Sequence, residues 1–226
     1  MTFTNKHKPL FITGTDTDVG KTLVSAWLVH QFNMDYWKPI QCGDLDNTDT
    51  MKVARLSGFS ANRSGFCLHP EAYSFAQPMS PHLAARQSKM TIDLQQIKLP
   101  VTQNQLVIEG AGGVWVPVNP QQNMMGLIKH LDARVIVVSR GTLGTINHTC
   151  LTLEALRSRD IDVLGVIISG AVQHENKQAI EHFGKTRVLA ELPLLETLDC
   201  ASLSACKSTG LLRKKLLSEA KENPPV

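Results

Sequence analysis

The sequence predicts an α/β fold, a mainly parallel sheet with helices on both faces, in one domain spanning residues 1–226. Three observations predict it. Short apolar runs such as Val135–Val138 and Val163–Ile168 do not alternate with polar residues, the pattern of strands covered on both faces. Longer amphipathic stretches separate these runs, in the strand–helix order that builds parallel sheets. The first run leads into a loop bounded by Gly14 and Gly20, and that loop opens onto a helical stretch.

Taken in order, Leu10–Thr13 reads as a buried strand and Gly20–Phe32 as a helix, with Leu23, Val24, Trp27 and Leu28 on one face. Asp35–Lys38 reads as a second strand, closed by Pro39, which cannot donate to a ladder. Thr48–Leu56 is a predicted helix. Pro70, Pro78, Pro81 and Pro100 break residues 58–104 into short pieces, with one or two helices expected around His82–Gln87 and Ile92–Ile97. Leu106–Ile108 is a strand that ends in Glu109 and a glycine-rich turn, Gly110-Ala111-Gly112-Gly113. Then come a helix at Met124–Leu131, a strand at Val135–Val138, and a helix at Thr145–Arg157 with Ile146, Cys150, Leu153 and Leu156 inward. A strand at Val163–Ile168, a helix at His174–Phe183, a strand at Val188–Leu192 and a helix at Lys207–Ala220 complete the chain.

Composition removes several function classes. A formal charge of +3 over 226 residues is too small for a nucleic-acid or membrane surface, and the basic run Arg213-Lys214-Lys215 reads as a solvated helix face. Aromatic residues are too sparse, at 5%, to build a stacking platform for nucleic acid, and Trp27 and Trp115 are expected to pack. The five cysteines are odd in number and form no C-x-x-C pair, so neither a disulfide framework nor a zinc site is indicated, and Cys150 reads as core. His82, His130 and His148 have no metal-ligand spacing. The apolar runs are too short to span a bilayer, and no secretory signal precedes the Gly14 loop, so a cytoplasmic setting is expected.

The chemistry begins at Gly14-Thr15-Asp16-Thr17-Asp18-Val19-Gly20-Lys21-Thr22. Backbone N–H groups at a helix start lack intrahelical partners and favour an anion. Gly20 lets phosphate approach the backbone, Lys21 places a cation on the outer phosphates, and the Thr22 hydroxyl suits Mg²⁺. This is a P-loop, with five residues rather than the usual four between its glycines. Mg²⁺ needs more oxygen ligands than Thr22 alone. Glu109 sits at a strand's C-terminal end, where open α/β sheets bind ligands, while Asp44, Asp46 and Asp49 all qualify after the second strand. Lys38 ends that strand and points to the same sheet edge, where it can hold developing negative charge or simply reach solvent.

These blocks resemble the dethiobiotin synthetase family. The match comprises Gly14–Thr22, Lys38-Pro39-Ile40-Gln41-Cys42-Gly43, Asn47-Thr48-Asp49, Pro78-Met79-Ser80-Pro81-His82 and Glu109–Gly113. It continues through Arg140-Gly141-Thr142-Leu143-Gly144-Thr145-Ile146-Asn147-His148-Thr149 and holds in order to about Pro193. The resemblance implies ATP-dependent ring closure of 7,8-diaminononanoate with CO₂, through a carbamate and its mixed anhydride with phosphate. It implies Thr22, Asp49 and Glu109 as Mg²⁺ ligands and Lys21 and Lys38 as catalytic cations. Nucleotide contacts would come from Asp18, Val19, Gly20, Lys21, Thr22 and Leu23, from Asp49 and Glu109, from Gly110, Ala111 and Gly112, and from Ser169, Gly170, Pro193, Leu194 and Leu195. Substrate contacts would come from Thr17, Lys38 and Cys42 and from Leu143, Gly144, Thr145, Ile146 and Asn147, the last group across a homodimer interface.

Three positions depart from the family pattern. Cys42 replaces a common serine and is a weaker hydrogen-bond partner. Asp18 replaces a glutamate. Ser169-Gly170 falls where many members carry an asparagine that reads adenine, so base selectivity is open. The alternatives are a partition-type ATPase switch, against which the loop's lack of an early lysine speaks, a related ATP-dependent amidase or ligase, and a catalytically dead nucleotide-binding module. The retention of Lys21, Thr22, Asp49 and Glu109 together speaks against the last.

Overall fold

The computed structural model describes residues 7–60, 65–171 and 173–217. A seven-stranded parallel sheet organises them. Its strands are β1 (Leu10–Gly14), β2 (Asp35–Trp37), β4 (Leu68–His69), β6 (Leu106–Gly113), β7 (Arg134–Arg140), β8 (Val163–Ser169) and β9 (Val188–Leu192), in the order β4-β2-β6-β1-β7-β8-β9. A two-stranded parallel ribbon joins β3 (Ile40–Cys42) to β5 (Tyr73–Phe75).

Side chains alternate between the two faces along each strand. Leu10 and Ile12 of β1 pack with α1 (Lys21–Phe32) and α2 (Asp49–Ser57), through Val24, Trp27, Leu28, Val53 and Leu56. Leu203 of α7 (Cys200–Ala205) and Leu212 of α8 (Gly210–Leu217) join this face. Phe11 points the other way, into a core with α3 (Pro81–Gln87), α4 (Met124–His130), α5 (Thr145–Arg157) and α6 (His174–Phe183). Two covered faces explain why the strands read as unbroken apolar runs. Helix α1 is buried on most sides, and its Trp27 Nε1 donates to the Cys206 carbonyl at 2.9 Å.

Several expectations need correction. Gly110–Gly113 is not a turn, because β6 continues through it and Gly113 pairs with Gly14. A Cβ at Gly110 would stand 2.6 Å from the Phe11 ring, so the glycine permits close strand approach. Only a 3₁₀ turn at Leu94–Gln96 forms where a helix was expected at Ile92–Ile97. There the Asp93 carboxylate accepts from Gln95 N–H at 2.9 Å, an alternative to continuing a helix. Strands β3, β4 and β5 were not expected. Pro39 interrupts the chain after β2, and its carbonyl accepts from both Ala72 and Tyr73 N–H at 3.0 Å, which docks the ribbon.

Helix α8 begins at Gly210, three residues after the expected start at Lys207, and residues 218–220 of the expected helix lie outside those described. The unexpected α7 is capped by Asp199, whose carboxylate accepts from Ser202 N–H at 2.8 Å. Cys150 is half-buried rather than core, since α5 turns Thr149, Thr152, Leu153 and Leu156 inward and leaves Cys150 at the flank, and Ile146 is likewise only partly buried. Trp115 packs only at the surface: it is 60% exposed, with the Arg159 guanidinium 5.7 Å from its ring centroid.

Among the described residues, no helix is long and apolar enough to cross a membrane.

Candidate active site

Strands β1, β2, β6, β7, β8 and β9 all end on one edge of the sheet, and their C-terminal residues gather the predicted side chains there. β1 lies between β6 and β7, where the order of connection reverses, which opens the crevice that α/β sheets use for ligands.

The phosphate loop is folded by local contacts. Asp18 (φ 55°) and Gly20 (φ 94°) take left-handed backbone on either side of Val19, which is buried. Only a glycine fits at Gly20, because a Cβ there would also meet the Ser169 hydroxyl at 2.5 Å. Asp16 Oδ1 accepts from Thr17 N–H at 2.7 Å. Arg140, at the end of β7, donates to the Thr17 carbonyl at 2.8 Å and to the Asp16 carboxylate at 3.3 Å. Lys21 is buried, and its ammonium donates to the Asp16 carbonyl at 3.1 Å. Burial lowers the Lys21 pKa, and the Glu109 charge only partly opposes this.

The acidic centre lies beside the loop. Glu109 is 1% exposed, and its two oxygens are used separately. Oε1 accepts from Thr22 Oγ1 at 2.8 Å and from Lys38 Nζ at 3.2 Å, while Oε2 accepts from the Tyr36 hydroxyl at 3.1 Å. Lys38 is 5% exposed and also pairs with Asp49, so one ammonium bridges two carboxylates. Burial alone would lower the Lys38 pKa. Glu109 and Asp49 outweigh it, and the net shift is upward. Asp49 is held below its ordinary value, since Lys38 and Lys52 outweigh the burial that would raise it. Burial, reinforced by the Glu109 charge, pushes the Tyr36 phenol well above its ordinary value and keeps it a donor. The charges of Lys21, Lys38, Asp49 and Glu109 balance, two positive against two negative.

Geometry separates the three candidate aspartates. Asp49 starts α2 and faces Lys38, whereas Asp44 pairs outward with Lys52 at 2.7 Å and Asp46 is exposed. Gln41 holds this arrangement: its amide donates to the Gly43 carbonyl at 2.9 Å and its Oε1 accepts from Asp49 N–H at 3.3 Å. Cys42 follows on β3, half-buried, with burial raising its thiol to about 11 against the opposing pull of Lys38.

The remaining predicted residues line the same edge. Gly112 (φ 67°) approaches the Thr17 hydroxyl, and Gly113 packs against the Gly14 carbonyl. Ser169 ends β8 opposite Leu192, Gly170 N–H bonds the Leu192 carbonyl at 2.8 Å, and Pro193 and the exposed Leu194 follow. Leu195 is partly buried against the α1 face. Gly144 starts α5 with φ 89°, and Thr145 Oγ1 donates to the Arg140 carbonyl at 2.5 Å. Asn147 is exposed, Ile146 half-buried, and Leu143 102% exposed, apart from the acidic centre's own contacts. Sequence reasoning assigned no role to Tyr36, Gln41, Lys52 or Arg140. Gln41 and Arg140 lie inside the matching blocks, and strand-end position is the signal that marks Arg140.

Thr22, Asp49 and Glu109 form an all-oxygen donor set, the hard ligands Mg²⁺ takes. The two carboxylates already converge on one cation, Lys38. Among the described residues no three His, Cys, Asp or Glu side chains form a metal cage, so the set fits an ion that binds through one or two carboxylates and keeps its waters.

Comparison with known proteins gives consistent results. A family model described as an AAA domain matches residues 8–202. The chain is 49% identical over 195 residues to the ATP-dependent dethiobiotin synthetase BioD of Paramagnetospirillum magneticum, covering 86% of this chain and 92% of that one. It is 46% identical to the ATP-dependent dethiobiotin synthetase BioD of Lawsonia intracellularis, covering 90% and 97%. The fold is similar to the cell division ATPase MinD of Pyrococcus furiosus (TM-score 0.58, 11% identity, 94% and 99% covered). It is also similar to a ParA family ATPase of Chlorobium tepidum (TM-score 0.56, 12% identity, 97% and 100% covered).

Proposed function

The chain belongs to the ATP-dependent dethiobiotin synthetase family, and we infer from this that it closes the cyclic urea of dethiobiotin from 7,8-diaminononanoate, CO₂ and ATP. One amine adds to CO₂ and loses a proton to give a carbamate. A carbamate oxygen takes the γ-phosphoryl group from ATP, releasing ADP. The second amine attacks the carbamoyl carbon, the C–O bond to phosphate breaks, and phosphate leaves as the ring closes and the attacking nitrogen gives up a proton to solvent.

The chain's residues support that chemistry as follows. The N-terminal amides of α1 and Gly20 receive the phosphates, and Lys21 meets the outer ones. Lys38, held charged between Asp49 and Glu109, faces the oxygens that gain charge during transfer. Thr17, on the same loop, is beside Gly112 and is assigned to the carbamate. Mg²⁺, held by Thr22, Asp49 and Glu109, supplies neutralisation of phosphate charge when bound. The Ser169-Gly170 and Pro193–Leu195 segments flank the base, and Cys42 lies toward the substrate with its thiol protonated.

We assign the start of α5, Leu143 to Asn147, to a site completed by a second copy of the chain. Leu143, Leu151 and Trp115 are large apolar side chains left in solvent, and a homodimer covers them.

The observation that carries the reading is the bridging of Asp49 and Glu109 by Lys38, next to Thr22 and the phosphate loop. The test is incubation with diaminononanoate, bicarbonate, Mg²⁺ and ATP, with dethiobiotin detected by mass. Substrate-independent ATP hydrolysis without that product would overturn the reading. A partition-type switch is not favoured, since no lysine stands between Gly14 and Gly20.

A further inference from the structure

The strands place one side chain in the acidic centre that has no part in the reading above. Tyr36 is fully buried on the α1 face of β2. It pairs in register with Val107, two residues before Glu109, so its ring lies under the carboxylate and its hydroxyl reaches forward along the strands. The O–H donates to Glu109 Oε2 at 3.1 Å. Thr22 and Lys38 both approach the other oxygen, Oε1.

We propose that Tyr36 is a positioning residue that fixes the rotation of the Glu109 carboxylate, so that Oε1 alone is presented to the metal side of the site. The inference rests on Glu109 being a Mg²⁺ ligand. Oε2 accepts from Tyr36 within a side chain that is 1% exposed, so removing the hydroxyl leaves a buried oxygen short of a donor. The carboxylate then regains a partner only by turning, which withdraws or splits the lone pairs aimed at Thr22 and the metal. Hydrogen bonds of this kind to metal-ligating groups are typically worth about 10–100-fold in metal affinity.

The test uses Tyr36→Phe, which keeps the ring and its packing. ADP binding is titrated by calorimetry across Mg²⁺ concentrations, beside thermal unfolding and steady-state rates. The proposal expects an apparent Mg²⁺ affinity about 10-fold weaker or more, a raised Mg²⁺ requirement for turnover, and kcat largely restored at saturating Mg²⁺. An unchanged Mg²⁺ dependence, with or without a lower Tm, overturns it. Glu109→Gln is run in parallel. If that variant also leaves Mg²⁺ dependence unchanged, the metal-ligand reading fails and takes the proposal with it. If Glu109→Gln weakens Mg²⁺ and Tyr36→Phe does not, only the role of Tyr36 is refuted.

Discussion

Asp35 anchors the sheet at the edge opposite the candidate active site, and its charge contributes to how the fold responds to acid. Its carboxylate is buried at the start of β2. Oδ1 accepts from Cys67 N–H at 2.8 Å and from the Asn104 amide at 2.9 Å, Oδ2 accepts from Thr102, and His69 Nε2 stands 3.6 Å away. Burial would raise the pKa. His69, Asn104, Thr102 and Cys67 together outweigh it and bring it from 3.8 to about 2. Because the folded value lies below the unfolded one, the stabilisation is fully present above about pH 4 and is lost as pH falls toward 2. At about 1.4 kcal/mol per pKa unit, roughly 2 kcal/mol disappears between pH 5 and pH 2. The assay is urea unfolding at a series of pH values, for the parent chain and for Asp35→Asn. The parent should be the more stable at pH 5, and the gap between the two should narrow by about 2 kcal/mol by pH 2, equivalent to about 4–8 °C in Tm. Parallel curves over that interval would refute the account.

Four further outcomes are expected. Lys21→Ala should lose at least about 10² in turnover, measured by ADP release with saturating substrates, since charge stabilisation of this type is worth about 10²–10³. Gly20→Ala should abolish nucleotide binding by calorimetry, because the left-handed backbone and the Ser169 hydroxyl both exclude a Cβ. Iodoacetamide at neutral pH should modify exposed Cys67 well before Cys42, whose thiol titrates near 11, as peptide mass mapping will report. Leu143→Asp with Leu151→Asp should give a monomer in sedimentation analysis.

The sheet and most helices were legible in the sequence because covering a strand on both faces leaves a continuous apolar run, and helix faces repeat at their own period. Glu109 and Lys38 were placed for a related reason: each closes an apolar run toward the edge that the strands share, although β6 itself continues past Glu109 to Gly113. The choice of Asp49 over Asp44 and Asp46 was not legible from spacing, since it depends on Gln41 holding the start of α2 and on Lys52 drawing Asp44 outward. Tyr36 was hidden because alternation gives the face of a side chain and not how far it reaches. The strands at Leu68–His69 and Tyr73–Phe75 are too short to carry any period. The run Gly110–Gly113 resembled a turn because glycine serves both bends and tight strand contacts, and only the Phe11 ring decides which.

The phosphate loop is tied to the body of the fold at three points: Val19 is sunk in the core, Arg140 grips the Thr17 carbonyl, and Lys21 donates to the Asp16 carbonyl. These ties are internal to the chain, so the ordering of the loop does not have to be drawn wholly from nucleotide binding energy, whereas Lys21 and the Thr22 hydroxyl must exchange their partners within the chain for phosphate and metal. The ties also couple distant parts of the chain: Arg140 ends β7, so its loss would free the Thr17 carbonyl on a loop that follows β1.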